Sequence, residues 1–508
     1  MKTKLLIIII GLISCISTFT QIDNESNFYT TITNANFNKN LVSDYGVDND
    51  FTTDDSNQLQ TAINDISNNG GGTLIIPAGN YTFEEISLKS NVHLDIHKDV
   101  TIRPTDRADT KNYGIFNLGP KGDDPIENVT ITTSSSGGRF TVDLRQVNNV
   151  NVGVYRCSKV TNFIIANLYV EDKQTKFSVL ATGGDEYNGN YIFPVNGIVK
   201  DIHINNAHYG YGNVQTQSAE NILFKDLSGN GGATLRLETG FTGLNNLQGT
   251  NLHSGVKRVG GIHKIVGRNI SSTNGNSAVM VSPHALHNGT VDIEGVIAVN
   301  SGFAIRIEGG FVSNKYDQNI GLDDGTFESV RVKNVHATFG TSAEIKSKHF
   351  KYYPPEITAP SQKSNYDDVI FIGPSIATVL ADANYTCTNG VQTLVVEEPI
   401  IGVGFIFQED IIPAEFLTTD CAALSVEDNL TANINFEVYP IPSKNEITVK
   451  SNLKISKIEF FSIAGKKVKS INSKEQKIKI NTSKMHRGIY FVRVYIEKGY
   501  SVKKILIE

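Results

Sequence analysis

One phrase recurs between residues 87 and 350 and limits what this chain can become: a polar residue, alternating β-branched residues, an Asn or Asp, then another apolar residue. It reads KVTNFIIANLYV, IVKDIHINNAHY, AENILFKDLSG, HKIVGRNISS, GTVDIEGVIAV and FESVRVKNVHA. Successive copies lie roughly 20 to 45 residues apart, the spacing of coils with some long loops inserted. A single copy cannot bury its apolar side, whereas copies stacked at the ~4.8 Å strand spacing share one continuous core and a long flat outer face. The expected fold is all-β, a right-handed parallel β-helix of the pectin-lyase-like kind. The 44 glycines and the absence of Trp fit short strands and many turns better than packed helices.

A second set of strands follows glycine-bearing turns, in YGNVQTQ, GATLRLETG, NSAVMVSPH, GFAIRIEGG and TSAEIKS. Setting Val214, Leu235, Val279, Ile305 and Ala343 level brings Thr216, Leu237, Val281, Ile307 and Ile345 level as well. Period-2 alternation then makes one face core and the other solvent-facing. The outer face carries Gln215, Gln217, Arg236, Glu238, Ser282, His284, Arg306, Glu308, Glu344 and Lys346. Asn167, Asn269 and Asn334, which follow the strands of the first set, read as turn formers.

The ends of the chain differ from its middle. Residues 1–20 place Lys2 and Lys4 before an apolar run too short to span a bilayer, the pattern of a signal peptide. Cys15 belongs to that run, and its LISC context is only a loose lipidation box. Residues 21–425 are assigned to the β-helix. Leu59, Ala62, Ile63 and Ile66 form one apolar helix face, with Asp54 to Ser56 as capping residues, so a helix should cover the first coil. Residues 426–435 read as a linker. Residues 436–508 read as a small β-sandwich of short alternating strands, with FEVYPIPSKNEITVKS and KIEFFSIAGKKVKS among them. This tail resembles the C-terminal sorting domain of the type IX secretion pathway, and the resemblance implies export through that machinery, with the protein released or attached at the cell surface.

Charge limits the partners. The tail holds 16 Lys and Arg against 6 Asp and Glu, within a chain whose net charge is −6, so the middle is strongly acidic. Nucleic acid is a poor partner for such a surface, although a local basic groove could still grip an anionic polymer. Removing the signal peptide leaves Cys157, Cys387 and Cys421, too few for a disulfide scaffold, with a Cys387–Cys421 bridge allowed and Cys157 expected as a buried thiol. No cofactor is called for. A structural calcium in the Asp-rich DNDFTTDD is allowed, but no defined calcium loop is present. A monomer is expected.

On the outer face, Arg236 and Glu238 share one strand, and Arg306 and Glu308 repeat the arrangement two coils later. Two coils at ~4.8 Å put the carboxylates on the order of 10 Å apart, at the upper edge of the ~6.5–9.5 Å used by inverting glycosidases. The arginines suit bidentate contacts to sulfate or carboxylate groups. A solvated charge ladder worth a few tenths of a kcal/mol per pair would show the same pattern.

The stretches GGATLRLETG, SAVMVSPHALHNGTVDIEGV, SGFAIRIEGGF and VIFIGPSIATVL resemble glycoside hydrolase family 82, the iota-carrageenases, over most of residues 45–400. The resemblance implies an enzyme that hydrolyses β-1,4 bonds of iota-carrageenan, a sulfated galactan of red algae, with inversion. It implies Glu238 as general acid, with His284 and Gln215 as active-site residues. Arg236, Arg306 and Gln217 are then expected to bind substrate. The family pattern has an Asp as base two residues after the acid, where this chain has Gly240, so Glu308 becomes the candidate base. The chain also lacks a long insertion after Phe311, from which an open groove and cutting within the polymer are expected. Two alternatives remain: a protein that binds sulfated polysaccharide and has lost catalysis, and a polysaccharide lyase, which the fold supports by analogy alone.

Overall fold

The computed structural model describes residues 23–32, 37–239, 260–312, 324–363, 370–381, 390–412, 436–462, 467–496 and 499–508. The expected signal peptide, Gly240, Cys387, Cys421 and the expected linker lie outside them. So does most of the stretch after Phe311, and with it the test of an open groove. The chain divides into two compact units, residues 1–422 and 423–508.

The first unit is a parallel β-helix. Its first column is a 14-stranded sheet that includes, in order, Val160–Glu171, Val195–Asn205, Ala219–Asn230, Ile262–Thr273, His287–Val299 and Thr326–Thr338. These are the recurring phrases. Each long strand turns a corner near its middle at a residue in the left-handed region: Asn167 has φ +64°, Asp201 +54°, Asp226 +54°, Asn269 +55° and Asn334 +55°, with Gly295 at +77° in His287–Val299. Asn and Asp accept that conformation more readily than other residues with a Cβ, which is why the phrase carries them there. At the strand ends a second row of asparagines forms a ladder, with Asn300, Asn274 and Asn230 each donating an amide to the one before: Asn300 to Asn274 at 2.6 Å, Asn274 to Asn230 at 3.2 Å and Asn230 to Asn205 at 3.2 Å.

The second column has ten strands, among them Val152–Cys157, Leu180–Thr182, Gly212–Thr216, Ala233–Glu238, Ser277–Ser282, Phe303–Ile307 and Ala377–Ala381. Val214, Leu235, Val279 and Ile305 are level as expected, and all four are fully buried. The fifth expected rung is different. The strand level with Ile305 is Ala377–Ala381, through Val379. Ala343–Lys346 instead pairs antiparallel with Ile370–Gly373. This hairpin leaves the column, so Glu344 and Lys346 are not part of the strand row.

Helix Ser56–Asn68 buries Leu59, Ala62, Ile63 and Ile66, the four residues of its expected apolar face. Asp54 accepts from the Ser56 amide at 3.0 Å, while Asp55 turns its carboxylate to the Thr82 amide at 3.1 Å. In the Asp-rich stretch before it, Asp48 accepts from the Asp50 amide and from the Thr53 hydroxyl, and Asp50 accepts from the Thr52 amide. Ahead of this, residues 23–30 lie as a strap across the first column. Glu25 reaches Lys200 at 2.7 Å, Asp23 reaches Arg268 at 2.5 Å, Asn221 donates to the Asn27 carbonyl at 2.9 Å, and Phe28 is buried with Ile198 and Leu223.

The second unit is an antiparallel sandwich of a three-stranded and a four-stranded sheet, with Ile447, Val449, Ile458, Phe460, Val492 and Val494 among its core residues. Buried Glu459 gathers Lys457 at 2.6 Å and the Tyr495 hydroxyl at 2.7 Å.

Candidate active site

Parallel pairing fixes which outward side chains share a row. Arg156, Ala181, Gln215, Arg236, Met280 and Arg306 follow one another rung by rung. Two residues further along its strand, Glu238 is level with Ser282. A cavity of about 410 Å³ opens on the first part of this column, lined by Arg156, Phe177, Tyr211, Gln215, Gln217, Arg236, Glu238 and His284, among others.

Glu238 is 7 % exposed and held from two sides. The Arg236 guanidinium meets one carboxylate oxygen, and His284 Nε2 lies 2.9 Å from the other. Arg236 also donates to the Gly210 carbonyl and rests over the Tyr211 ring, 5.6 Å from its centre. His284 follows Pro283 in a turn with φ +48°, which swings its ring back against the strand end, and Phe311 packs on it at 4.3 Å between ring centres. Burial pushes the Glu238 carboxyl up, but Arg236 and His284 outweigh it and draw it down to about 2. A general acid that held its proton in the free protein would need the opposite shift. Unliganded Glu238 is a carboxylate.

The second Arg-x-Glu pair sits in different surroundings. Arg306 is 1 % exposed and Glu308 6 %, and neither lines the cavity. Arg306 lies 3.6 Å from Glu308, and its Nη2 is 2.7 Å from the Met280 sulfur, so the direct sulfate contact expected of Arg306 is not available in this conformation. Glu308 is met by Lys348 and, at 3.4 Å, by His349. Both come from the 3-10 helix Ser347–Tyr352, which directly follows the first strand of the displaced hairpin. Burial again raises the carboxyl, yet Arg306, His349 and Lys348 hold it well below the carboxylate range. Lys346, half-buried at the end of the hairpin strand, is pulled down to about 7 by desolvation and by Arg306 and Arg236. His349 is likewise lowered to about 4, chiefly by burial.

Sequence reasoning thus found Gln215, Gln217, Arg236, Glu238 and His284, which the fold brings to one cavity. It missed Lys348 and His349 at Glu308, and Arg156, Phe177 and Tyr211 at the cavity's far end. The aromatic run KHFKYYPP after the fifth segment was the available signal that the column is interrupted there. Among the described residues no group of three or more His, Cys, Asp or Glu is placed to hold a metal.

A parallel β-helix with a carboxylate, an imidazole and a guanidinium gathered at one cavity fits the class of β-helix proteins that handle polysaccharides. Comparison with known proteins narrows the class. The chain is 32 % identical over 417 residues to an iota-carrageenase of Alteromonas macleodii, covering 70 % of this chain and 82 % of that protein. It is 34 % identical over 411 residues to an iota-carrageenase of Zobellia galactanivorans, covering 70 % and 81 %. A solved structure of a 1,3-α-1,4-β-D-galactose-4-sulfate-3,6-anhydro-D-galactose-2-sulfate 4 galactohydrolase superposes with a TM-score of 0.69 at 32 % identity, over 77 % of this chain and 93 % of that one. The chain belongs to the iota-carrageenase family. Residues 437–508 match the secretion system C-terminal sorting domain, which makes this an extracellular or cell-surface protein.

Proposed function

We propose that this protein is a secreted glycosidase that cleaves β-1,4 bonds within iota-carrageenan, with Glu238 as proton donor. The observation that carries the reading is the contact of Glu238 with both Arg236 and His284 at the cavity. A sulfate ester entering the cavity competes with Glu238 for Arg236, because the guanidinium fork can meet two sulfate oxygens at once. Glu238 then loses its nearest cation while staying buried, its proton affinity rises, and it takes up a proton that it can pass to the leaving glycosidic oxygen. Gln215, one rung from Arg236, is placed to orient a sugar hydroxyl or a water.

The base is the weaker half of the site. Position 240 is glycine, which has no group to accept a proton. Glu308, two rungs from Glu238 and on the order of 10 Å away, is the nearest carboxylate in the column that could replace it, provided Lys348 moves aside. Gly240 also supports a second reading, a protein that retains the polymer and hydrolyses it slowly or not at all.

The test uses the full chain on iota-, kappa- and lambda-carrageenan, following reducing ends with Glu238→Gln and Gly240→Asp beside wild type. Release from iota-carrageenan that is lost in Glu238→Gln supports the hydrolase. Full activity in Glu238→Gln removes Glu238 as acid. A silent wild type that gains activity in Gly240→Asp supports the binding protein.

A further inference from the structure

At the end of the cavity away from Glu308, Arg156 is half-buried, and its guanidinium makes no hydrogen bond or ion pair among the described residues. The one carboxylate that acts on it is Glu85, which Arg107 engages at 2.7 Å. Burial accordingly lowers the proton affinity of Arg156, whereas Arg107 and Arg331, each paired with carboxylates, are shifted upward. An arginine taken partly out of water without an anion is costly unless a ligand supplies one.

Its surroundings are built rather than incidental. The guanidinium lies over the Phe177 ring at 5.5 Å, Phe177 meets Tyr211 edge-on at 5.9 Å, and Tyr211 carries Arg236 at 5.6 Å. Two arginines thus bracket two aromatic rings along one wall. On the floor between them the row runs Arg156, Ala181, Gln215, Arg236, and the small Ala181 leaves the space above it open. Gly114 makes room behind, since a Cβ there would come within 2.9 Å of the Arg156 side chain.

Resting on the carrageenan reading above, we propose that Arg156, with Phe177 and Tyr211, forms a distal subsite for a sulfate ester on the bound polymer, remote from the bond that Glu238 protonates. Three rungs separate Arg156 from Arg236, on the order of 14 Å at ~4.8 Å per rung, a reach of a few sugar units along the stacking direction. The aromatic rings supply apolar faces for the sugars between the two arginines.

The experiment measures retardation of the full-length protein in gels containing iota-carrageenan or the chemically desulfated galactan, for wild type, Arg156→Ala and Arg156→Lys. Arg156→Ala should bind the sulfated polymer roughly tenfold more weakly, as expected for a lost charge-assisted bond, with Arg156→Lys between the two and desulfated galactan indifferent to either change. In cleavage assays KM for the polymer should rise with kcat unchanged, while oligosaccharides too short to reach Arg156 show no difference. Equal retardation of wild type and Arg156→Ala on the sulfated polymer would overturn the subsite. So would inorganic sulfate protecting Arg156 from guanidine-directed reagents when polymer binding is unchanged in Arg156→Ala. If wild type is retarded but releases no reducing ends, the hydrolase reading fails and the Arg156 comparison still decides the subsite.

Discussion

The same three-residue pattern, Arg-x-Glu, occurs twice on one sheet face two rungs apart, and the two copies have different surroundings. Arg236 and Glu238 line a cavity, with His284 reaching in from a turn. Arg306 and Glu308 are covered by a hairpin and a short 3-10 helix that bring Lys346, Lys348 and His349 to them. Nothing within the strands explains the difference. The local motif fixes the geometry of a charge pair, while chain inserted between rungs decides whether that pair meets solvent or protein.

The largest effect that would sharpen this contrast is on rate. Glu238→Gln should cut reducing-end release by roughly 10²- to 10⁴-fold, the range for losing a general acid or base. Glu308→Gln should cost less if Glu308 is chiefly structural, and an equal loss in both would make the buried pair a partner in the chemistry. Stability should show the reverse order. Glu308→Ala leaves fully buried Arg306 uncompensated and should destabilise by about 3–5 kcal/mol in denaturant unfolding. Glu238→Ala should cost less, because Arg236 can turn to the cavity and to Gly210. A larger loss at Glu238 would break the comparison.

Lys346→Met should do the opposite and stabilise. The folded protein holds this lysine at about 7, below its ordinary 10.5, so a penalty grows as pH falls from about 10.5 to 7 and is complete below that. The variant should therefore gain roughly 1 kcal/mol or more at pH 6 and nothing above pH 10.5, read as a shift in unfolding midpoint at each pH. The smallest effect is on acid unfolding. Glu238, depressed from 4.5 to about 2, contributes stability that is complete above about pH 4.5 and is lost as pH falls toward 2. Glu238→Gln should flatten that part of the profile, and an unchanged profile would mean that Arg236 does not hold the carboxylate in solution.

Much of this was legible in the residues. Alternation with period 2 placed Val214, Leu235, Val279 and Ile305 on one buried row, because a one-residue slip would have exposed all of them. The capping helix was legible because Leu59, Ala62, Ile63 and Ile66 leave one reading of the helix face. The displaced segment TSAEIKS was not, because a strand in an antiparallel hairpin alternates just as a rung does, and register alone separates them. VIFIGPSIATVL held the answer in mixed form, its first half pairing in the hairpin and its second half supplying the rung. Arg156 was missed for a related reason. Its strand GVYRC carries no glutamate to mark it, and its partners Phe177 and Tyr211 come from other coils, so the grouping exists only after stacking.

The strap at residues 23–30 bears on the order in which the molecule completes itself. Asn27 is joined to Asn221 across a sequence separation of 194, and Glu25 to Lys200 across 175. Residues 23–30 thus find their partners only once the coils near residue 200–270 are in place. Rungs can accrete locally, each on its neighbour, but this closure is non-local and comes late. The strap therefore acts as a latch, and a chain still assembling would be distinguished by a loose, protease-accessible segment 23–30 on an otherwise ordered helix.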